Sequence, residues 1–235
     1  MQVNYDTTYN SLKSVTYDLG LRKFMLQVYN YMTLALAISG LVSLGVSMSP
    51  EAMSFIWGTY FKWVVIFAPL GMSLLLMGLI DKMSPYSAKL FLFAFAAVMG
   101  LSLSSIFAIY KLGSIVQVFF ISAATFGSAS IYGYVTKRDL TKFGSFLVMG
   151  ALGLCIASIV NVFLQSSAFA FAISCIAVLI FTALTAYDTQ QIKDHYDNSY
   201  GDEREKAGVL GALNLYLDFI NIFVSLLQLV GEKKE

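Results

Sequence analysis

Seven long apolar runs alternate with short polar segments along the 235 residues of this chain. Each run holds roughly 17 to 22 residues, the length that a helix needs to cross about 30 Å of hydrocarbon. The spans that these runs predict cover residues 26–46, 64–80, 90–110, 116–135, 146–164, 169–187 and 209–230. The sequence therefore predicts an all-α, polytopic membrane protein with seven transmembrane helices.

The segments between the runs predict how the chain is divided. Most of them are short, and only the connection over residues 189–208 is long and strongly charged. Its interleaved charges of both signs are typical of a solvated loop. None of the segments resembles a soluble domain or a linker. We therefore expect a polar N-terminal segment over 1–24, one seven-helix transmembrane domain over 25–231 and a charged C-terminal tail over 232–235.

The last apolar run carries a narrow polar stripe. Its members follow one another at intervals of 4, 3, 4 and 3 residues, and they are Asn214, Asp218, Asn221, Ser225 and Gln228. At about 100° per residue these positions share one face of a helix. A carboxylate in the middle of a span costs roughly 3 kcal/mol, so Asp218 must face other helices or water. It is the first candidate for a functional residue.

Composition agrees with the membrane class and excludes several functions. The chain is 58% hydrophobic and 12% charged, with a mean hydropathy of +0.73, whereas soluble domains carry about 25% charged residues. A net charge of +1 argues against nucleic-acid binding, which needs a concentrated basic face. No phosphate-binding Gly-x-x-x-x-Gly-Lys loop is present, and the last span has no lysine for a retinal Schiff base. We expect the lipid bilayer as a partner and no cofactor.

The distribution of positive charge predicts the orientation. If the N-terminus is cytoplasmic, eleven of the 15 Lys and Arg residues lie on the cytoplasmic side, as the positive-inside rule requires. Seven spans then place the C-terminus on the opposite side. The lysines of the outer segments are Lys62, Lys111, Lys233 and Lys234. Because two of them are in the tail, an alternative is a tail that folds back inside, with six full crossings and one partial crossing.

A second intramembrane acid lies at the end of the sixth span. Asp188 and Asp218 are on consecutive helices. If the sixth helix ends near Ile192 and the seventh begins near Gly211, the two acids lie about 6 Å and 10 Å from the inner boundary at 1.5 Å per residue. A modest tilt would then bring their carboxyls into contact. Two carboxylates in contact at low dielectric share a proton rather than both ionising. We therefore expect a pH-sensitive latch between helices six and seven. Lys82, at the inner end of the second span, is expected to pair with either acid.

These residue types offer oxygen ligands to a hard cation such as calcium. Ca²⁺ takes six to eight oxygen ligands, and Asp188 and Asp218, with Asn214, Asn221 and backbone carbonyls along the pathway, offer a weak and transient site. The sequence has no dense acidic loop of the kind that would store calcium tightly. A leak is therefore a better match than a buffer.

Three segments resemble a known family. They are YGYVTKRDL at 132–140, AYDTQ at 186–190 and LGALNLYLDFIN at 210–221, and they are similar to the bacterial branch of the Bax inhibitor family. The resemblance implies seven helices with the last one central in the bundle and a pH-responsive pair at Asp188 and Asp218. It also implies a pH-dependent calcium leak, a basic partner at Lys82 and a bacterial inner membrane, where the orientation derived from Lys and Arg makes the C-terminus periplasmic.

Two other functions compete with the leak. One is a non-transporting regulator of a membrane protease or another membrane complex, which would be a protein partner. The other is an intramembrane aspartyl protease, in which two aspartates activate water. Asp218 lacks the Gly-x-Gly-Asp context of such proteases, and the chain has no Pro-Ala-Leu element. We therefore predict a calcium channel and not an enzyme.

Overall fold

The computed structural model of the chain describes residues 5–234, and the side chains of residues 19–234. This part folds into eight α-helices and one short 3₁₀ turn over Ile80–Lys82. The helices are α1 (Tyr5–Ser47), α2 (Pro50–Gly58), α3 (Phe61–Leu79), α4 (Pro85–Ile109), α5 (Leu112–Val135), α6 (Thr141–Leu164), α7 (Ser167–Asn198) and α8 (Gly201–Val230). Residues 1–4 of the predicted N-terminal segment and residue 235 of the tail lie outside the described residues.

Seven of the helices are long and apolar enough to cross a membrane. Each predicted span lies on one of them, with its ends displaced by no more than a residue from helix or 3₁₀ turn. Within residues 5–234 there is no strand, and an isolated antiparallel bridge joins Tyr110 to Lys233. The chain is therefore a polytopic all-α membrane protein, as the hydrophobic pattern predicts.

The first connection contains a short helix. Ser49 caps α2 by accepting a hydrogen bond from the backbone N–H of Ala52, and Pro50 occupies its first turn, where a proline removes no helical hydrogen bond. The indole of Trp57 donates to Ser104 on α4 at 3.0 Å. These contacts dock α2 onto the bundle instead of leaving it as an open loop.

The prediction of a long loop over residues 189–208 is wrong. Helix α7 continues to Asn198 and α8 begins at Gly201, which adopts a positive φ of 53° that suits glycine. The guanidinium of Arg204 holds the junction by donating to the carbonyls of Ser199 at 2.8 Å and Tyr196 at 2.9 Å. Hydropathy marks where the apolar surface ends, but a helix can continue beyond that point with polar side chains.

Helix α8 is the most enclosed of the seven spans. In its most apolar window 67% of the residues are buried, whereas the corresponding value for α6 is 6%. It packs against α1, α4, α5 and α7, and Tyr216 in its middle is fully buried. This burial agrees with the expected central position of the last helix, which stays a prediction.

Candidate functional site

The polar stripe of α8 lies against α7 in a regular antiparallel register. A Cβ added to Gly211 would lie 2.7 Å from the Ile192 side chain, and further along the helices Ser174 donates to Gln228 at 2.7 Å. Between these contacts the hydroxyl of Thr185 lies within hydrogen-bonding reach of Asp218. The register places the inner end of the stripe beside the last apolar turns of α7.

The carboxyl groups of Asp188 and Asp218 lie within hydrogen-bonding reach of each other across this interface. Asp218 is only 4% exposed, and its Oδ2 receives a hydrogen bond from no donor among the described residues. A carboxylate has no proton to give, so the contact becomes a hydrogen bond only when one acid is protonated. The geometry therefore suits a pair that shares one proton.

Thr185 connects the pair to the backbone of α7. Its hydroxyl donates to the carbonyl of Phe181 at 2.8 Å and also lies within hydrogen-bonding reach of Asp218. A hydroxyl has one proton, so these two acceptors compete for it. An ionised Asp218 attracts this proton, whereas a protonated Asp218 can donate to the Thr185 oxygen.

The two asparagines of the stripe flank Asp218 on α8. The side-chain amide of Asn221 donates to the carbonyl of Leu217 at 2.8 Å, and Asn214 is partly exposed. By the register of α7 and α8, Thr182 lies level with Asn221, and the buried Thr182 hydroxyl has no hydrogen-bond partner among the described residues. Polar atoms therefore continue on both sides of the interface beyond the carboxyl pair.

The structure does not bring Lys82 to the carboxyl pair. Its side chain is exposed and forms no ion pair with Asp188 or Asp218 in the described part of the chain. The lysine that pairs near the junction of α7 and α8 is Lys89, which contacts Glu205. Lys82 lies on the 3₁₀ turn that follows α3, and the packing of that segment leaves its side chain at the surface. Its gating role stays a prediction.

Hydroxyl groups around the pair were not singled out from the sequence. Ser130 on α5 lies 2.6 Å from the Tyr29 hydroxyl of α1 and 3.0 Å from the Thr189 hydroxyl of α7. A signal for part of this group exists, since Thr182, Thr185 and Thr189 recur at intervals of 3 and 4 residues on the sixth span. The members on α1 and α5 could be found only from the packing of those helices.

The site does not provide a complete cage for a tightly bound metal. Among the described residues, no three His, Cys, Asp or Glu side chains cluster in a way that could hold an ion. Two carboxyls and the neighbouring amides fall short of the six to eight oxygens that Ca²⁺ takes. Any cation at this site would be held weakly.

These features define a class of protein: a seven-span helical membrane protein with a carboxyl pair between its last two helices. The sequence matches the family described as "Inhibitor of apoptosis-promoting Bax1" over residues 21–235. The chain therefore belongs to the Bax inhibitor family.

Several bacterial relatives share most of the chain. The inner membrane protein YbhL of Escherichia coli K12 is 39% identical over 219 residues, covering 92% of this chain and 94% of its own. The protein RP147 of Rickettsia prowazekii is 42% identical over 95% of both chains. A protein of Caulobacter vibrioides is 41% identical, over 93% of this chain and 92% of its own. None of these three names describes an enzyme.

Proposed function

We propose that this protein is a pH-sensitive, calcium-permeable leak channel in the inner membrane of a bacterium, and not an enzyme. The observation that carries the proposal is the contact between Asp188 and Asp218 at the buried interface of α7 and α8. Calcium is the cargo of the channel and not a resident cofactor. The N-terminus is cytoplasmic and the C-terminus periplasmic.

The carboxyl pair acts as a latch between the two helices. When the pair holds a proton, one carboxyl donates to the other and α7 stays packed on α8. When both acids are ionised, their repulsion at low dielectric separates the helices. The buried Asp218 Oδ2, which lacks a donor, is the atom that gains most from the shared proton.

The described conformation corresponds to a closed state. Towards the C-terminal end of α8, beyond the pair, Ile222 and Leu227 are 0% and 1% exposed, so apolar side chains fill the interior at this level. A cation needs oxygen ligands along its path, and Asn214 and Asn221 supply them beside the pair. Opening therefore requires a movement of α7 or α8 that hydrates this region.

The proposal is tested by calcium flux from purified protein in liposomes between pH 5 and pH 8. We expect flux to rise with pH and Asp218→Asn to remove most of this response, because an amide at position 218 stays uncharged and so cannot repel Asp188 when the pH rises. Glu51→Gln, an exposed acid on α2, is the matched control and should behave like the wild type. Sodium, potassium and proton fluxes measured in parallel establish selectivity.

An unchanged pH profile after both Asp188→Asn and Asp218→Asn would contradict the latch. Wild-type protein that carries no ion at any pH would instead favour the non-transporting regulator of a membrane protease or another complex. Cleavage of a peptide bond by the protein in detergent would favour the intramembrane aspartyl protease. The three outcomes separate the three functions.

A further inference from the structure

Helices α1 and α5 border a cleft on one side of the bundle. Both pack against α7 and α8, but they have little direct contact with each other. Two cavities of about 410 Å³ and 530 Å³ lie between them. The larger cavity is lined by residues of α1 and α5 that include Arg22, Met25, Tyr29, Phe126, Ser130 and Tyr134.

A hydrogen bond closes this cleft beside the larger cavity. The hydroxyls of Tyr29 on α1 and Ser130 on α5 are 2.6 Å apart, and among the described residues no other side-chain hydrogen bond joins these two helices. Ser130 is 4% exposed. It also lies 3.0 Å from Thr189 on α7. One buried hydroxyl thus links three helices.

One order of donors and acceptors satisfies every hydrogen bond in this chain of hydroxyls. Thr189 donates to the backbone carbonyl of Thr185 at 2.7 Å, so it must accept from Ser130, because a hydroxyl has one proton. Ser130 has then used its own proton and must accept from Tyr29. The order is Tyr29 to Ser130 to Thr189 to the Thr185 carbonyl, with Tyr29 as the first donor.

The chain ends on the turn of α7 that carries Asp188. Thr185 and Thr189 both donate their hydroxyls to carbonyls one turn earlier in the same helix, an arrangement that bends helices slightly. Asp188 lies between these two threonines, and the Thr185 hydroxyl reaches Asp218. The position of Asp188 relative to Asp218 therefore depends on a turn that Ser130 holds from α5.

We propose that Tyr29 is a positioning residue for the Asp188 and Asp218 pair, acting through Ser130 and Thr189, an inference that rests on the proposed latch. The hydroxyl chain holds the turn from Thr185 to Thr189 in the geometry that lets the two carboxyls meet. Loss of the Tyr29 hydroxyl loosens this turn and weakens the closed state. Tyr29 touches neither carboxyl and takes no part in the flux itself.

Other charged groups near this end of the bundle have partners of their own. Lys89 on α4 pairs with Glu205, and Lys193 lies over the ring of Tyr134 from α5. Among the titratable or charged side chains on the elements packed around the pair are Arg22, Tyr29, Lys89, Tyr134, Lys142, Tyr187, Lys193 and Tyr216. Within the described residues none of them forms a hydrogen bond or ion pair with either carboxyl.

The test uses variants that remove one hydroxyl at a time from the full-length protein. Tyr29→Phe, Ser130→Ala and Thr189→Val each break the chain, whereas Thr189→Ser keeps its hydroxyl. Ser128→Ala is the matched control, because Ser128 is exposed on α5 and donates only to its own helix at 2.8 Å. We expect the first three variants to move the midpoint of the flux profile about 0.5 to 1 pH unit towards acid. A shift of this size corresponds to the net free energy of one hydrogen bond.

Thr189→Ser and Ser128→Ala should keep the wild-type midpoint. The double variant Tyr29→Phe with Thr189→Val should shift the midpoint no further than the larger of its single variants, because both break the same chain. Additive shifts, or an equal shift in Ser128→Ala, would overturn the proposed role of Tyr29.

A second readout does not depend on flux. The melting temperature of the protein in detergent is measured between pH 5 and pH 8, with and without Asp188→Asn and Asp218→Asn. We expect Tyr29→Phe to displace the pH at which the melting temperature changes, and to cause only a uniform decrease once both acids are amides. A uniform decrease in the native background as well would mean that the hydroxyl serves packing alone.

The two readouts distinguish a failure of the proposed leak from a failure of the positioning role of Tyr29. If wild-type flux ignores pH but Tyr29→Phe still displaces the melting profile, the leak fails and the positioning role stands. If wild-type flux depends on pH and Tyr29→Phe changes neither profile, the positioning role fails and the leak stands. A wild-type melting temperature that is constant over this pH range would overturn the latch and, with it, the positioning role.

Discussion

At the scale of single residues, buried polar groups in the bundle are matched to specific partners. Tyr216 is fully buried, and its hydroxyl lies 2.6 Å from Ser39 on α1. Ser39 in turn donates to the Ala96 carbonyl of α4 at 2.7 Å, so the tyrosine is the donor of the pair. This short network joins three helices inside the membrane, where an unpaired polar group costs several kcal/mol.

We expect Tyr216→Phe to lower the free energy of unfolding by about 1 kcal/mol, the net value of one hydrogen bond. The phenyl ring preserves the edge contact with Phe95, whose ring centre is 5.7 Å away, so the lost hydroxyl is the main change. Reversible unfolding in mixed micelles measures the effect. Tyr60→Phe is the control, since Tyr60 is 89% exposed, and an equal loss in both variants would refute this account.

Outside the membrane, the connection between α5 and α6 contains a perturbed acid. Hydrogen bonds from the hydroxyl and the backbone N–H of Thr141 lower the pKa of Asp139 below its usual value. A lowered pKa in the folded state stabilises the protein above the unfolded pKa of about 4. This contribution is lost as pH falls through the folded pKa.

We expect Thr141→Val to raise the pKa of Asp139 towards its usual value, because the variant removes the hydroxyl donor. The carboxyl resonance of Asp139, followed by NMR in micelles from pH 2 to pH 7, measures the change. Thr136→Val is the control, since the Thr136 hydroxyl accepts from the backbone N–H of Arg138 in the same connection and is not among the groups that shift the pKa of Asp139. Identical titration curves for Thr141→Val and the wild type would exclude the proposed cause.

At the scale of helices, close approach depends on residues without side chains. A Cβ added to Gly133 of α5 would lie 2.2 Å from the carbonyl oxygen of Ala186 on α7. This oxygen belongs to rigid backbone, so the helices would have to move apart. Small residues let membrane helices pack closely, and here the contact lies two residues before Asp188.

We expect Gly133→Ala to lower the melting temperature and to impair the pH response, because it pushes α7 away from α5. Gly127→Ala is the control on the same helix: an added Cβ there meets nothing within 4 Å. This control should be neutral or more stable, since alanine favours a helix over glycine by up to about 1 kcal/mol. Similar melting temperatures for the two variants would contradict the close approach of α5 and α7.

At the scale of the whole molecule, the C-terminal tail lies beside the turn between α4 and α5. The backbone N–H of Lys111 donates to the carbonyl of Glu232 at 2.9 Å, and that of Lys234 donates to the carbonyl of Ile109 at 2.8 Å. Helix α8 therefore ends at the same end of the bundle as that turn. This arrangement favours seven full crossings over a tail that folds back.

We expect the tail to be periplasmic. An alkaline phosphatase fused to the C-terminus should be active, and a green fluorescent protein fused there should stay dark. Fusions truncated after Lys82, at the predicted cytoplasmic end of the second span, should give the reverse result and serve as the control. Fluorescence from the full-length fusion would mean that the orientation derived from Lys and Arg is inverted.

The sequence predicted most of this architecture because lipid imposes a simple constraint. Backbone groups in hydrocarbon must bond within their own helix, so each run of apolar residues becomes a span whatever its neighbours are. The same constraint singled out Asp218 and the stripe around it. It carries no information on the polar helical ends, so hydropathy predicts a loop where Asn198 and Gly201 form the ends of two helices.

The amino-acid pattern by itself determined the number of spans, the acidic residues at Asp188 and Asp218, and the face of α8 that carries Asp218, because these follow from local periodicity. The tertiary structure decided which groups meet. It joined Asp188 to Asp218, left Lys82 at the surface and connected Tyr29 through Ser130 to Thr189. Such contacts depend on the register and distance between helices, and those are set by packing at positions such as Gly133 and Gly211, far apart in the chain.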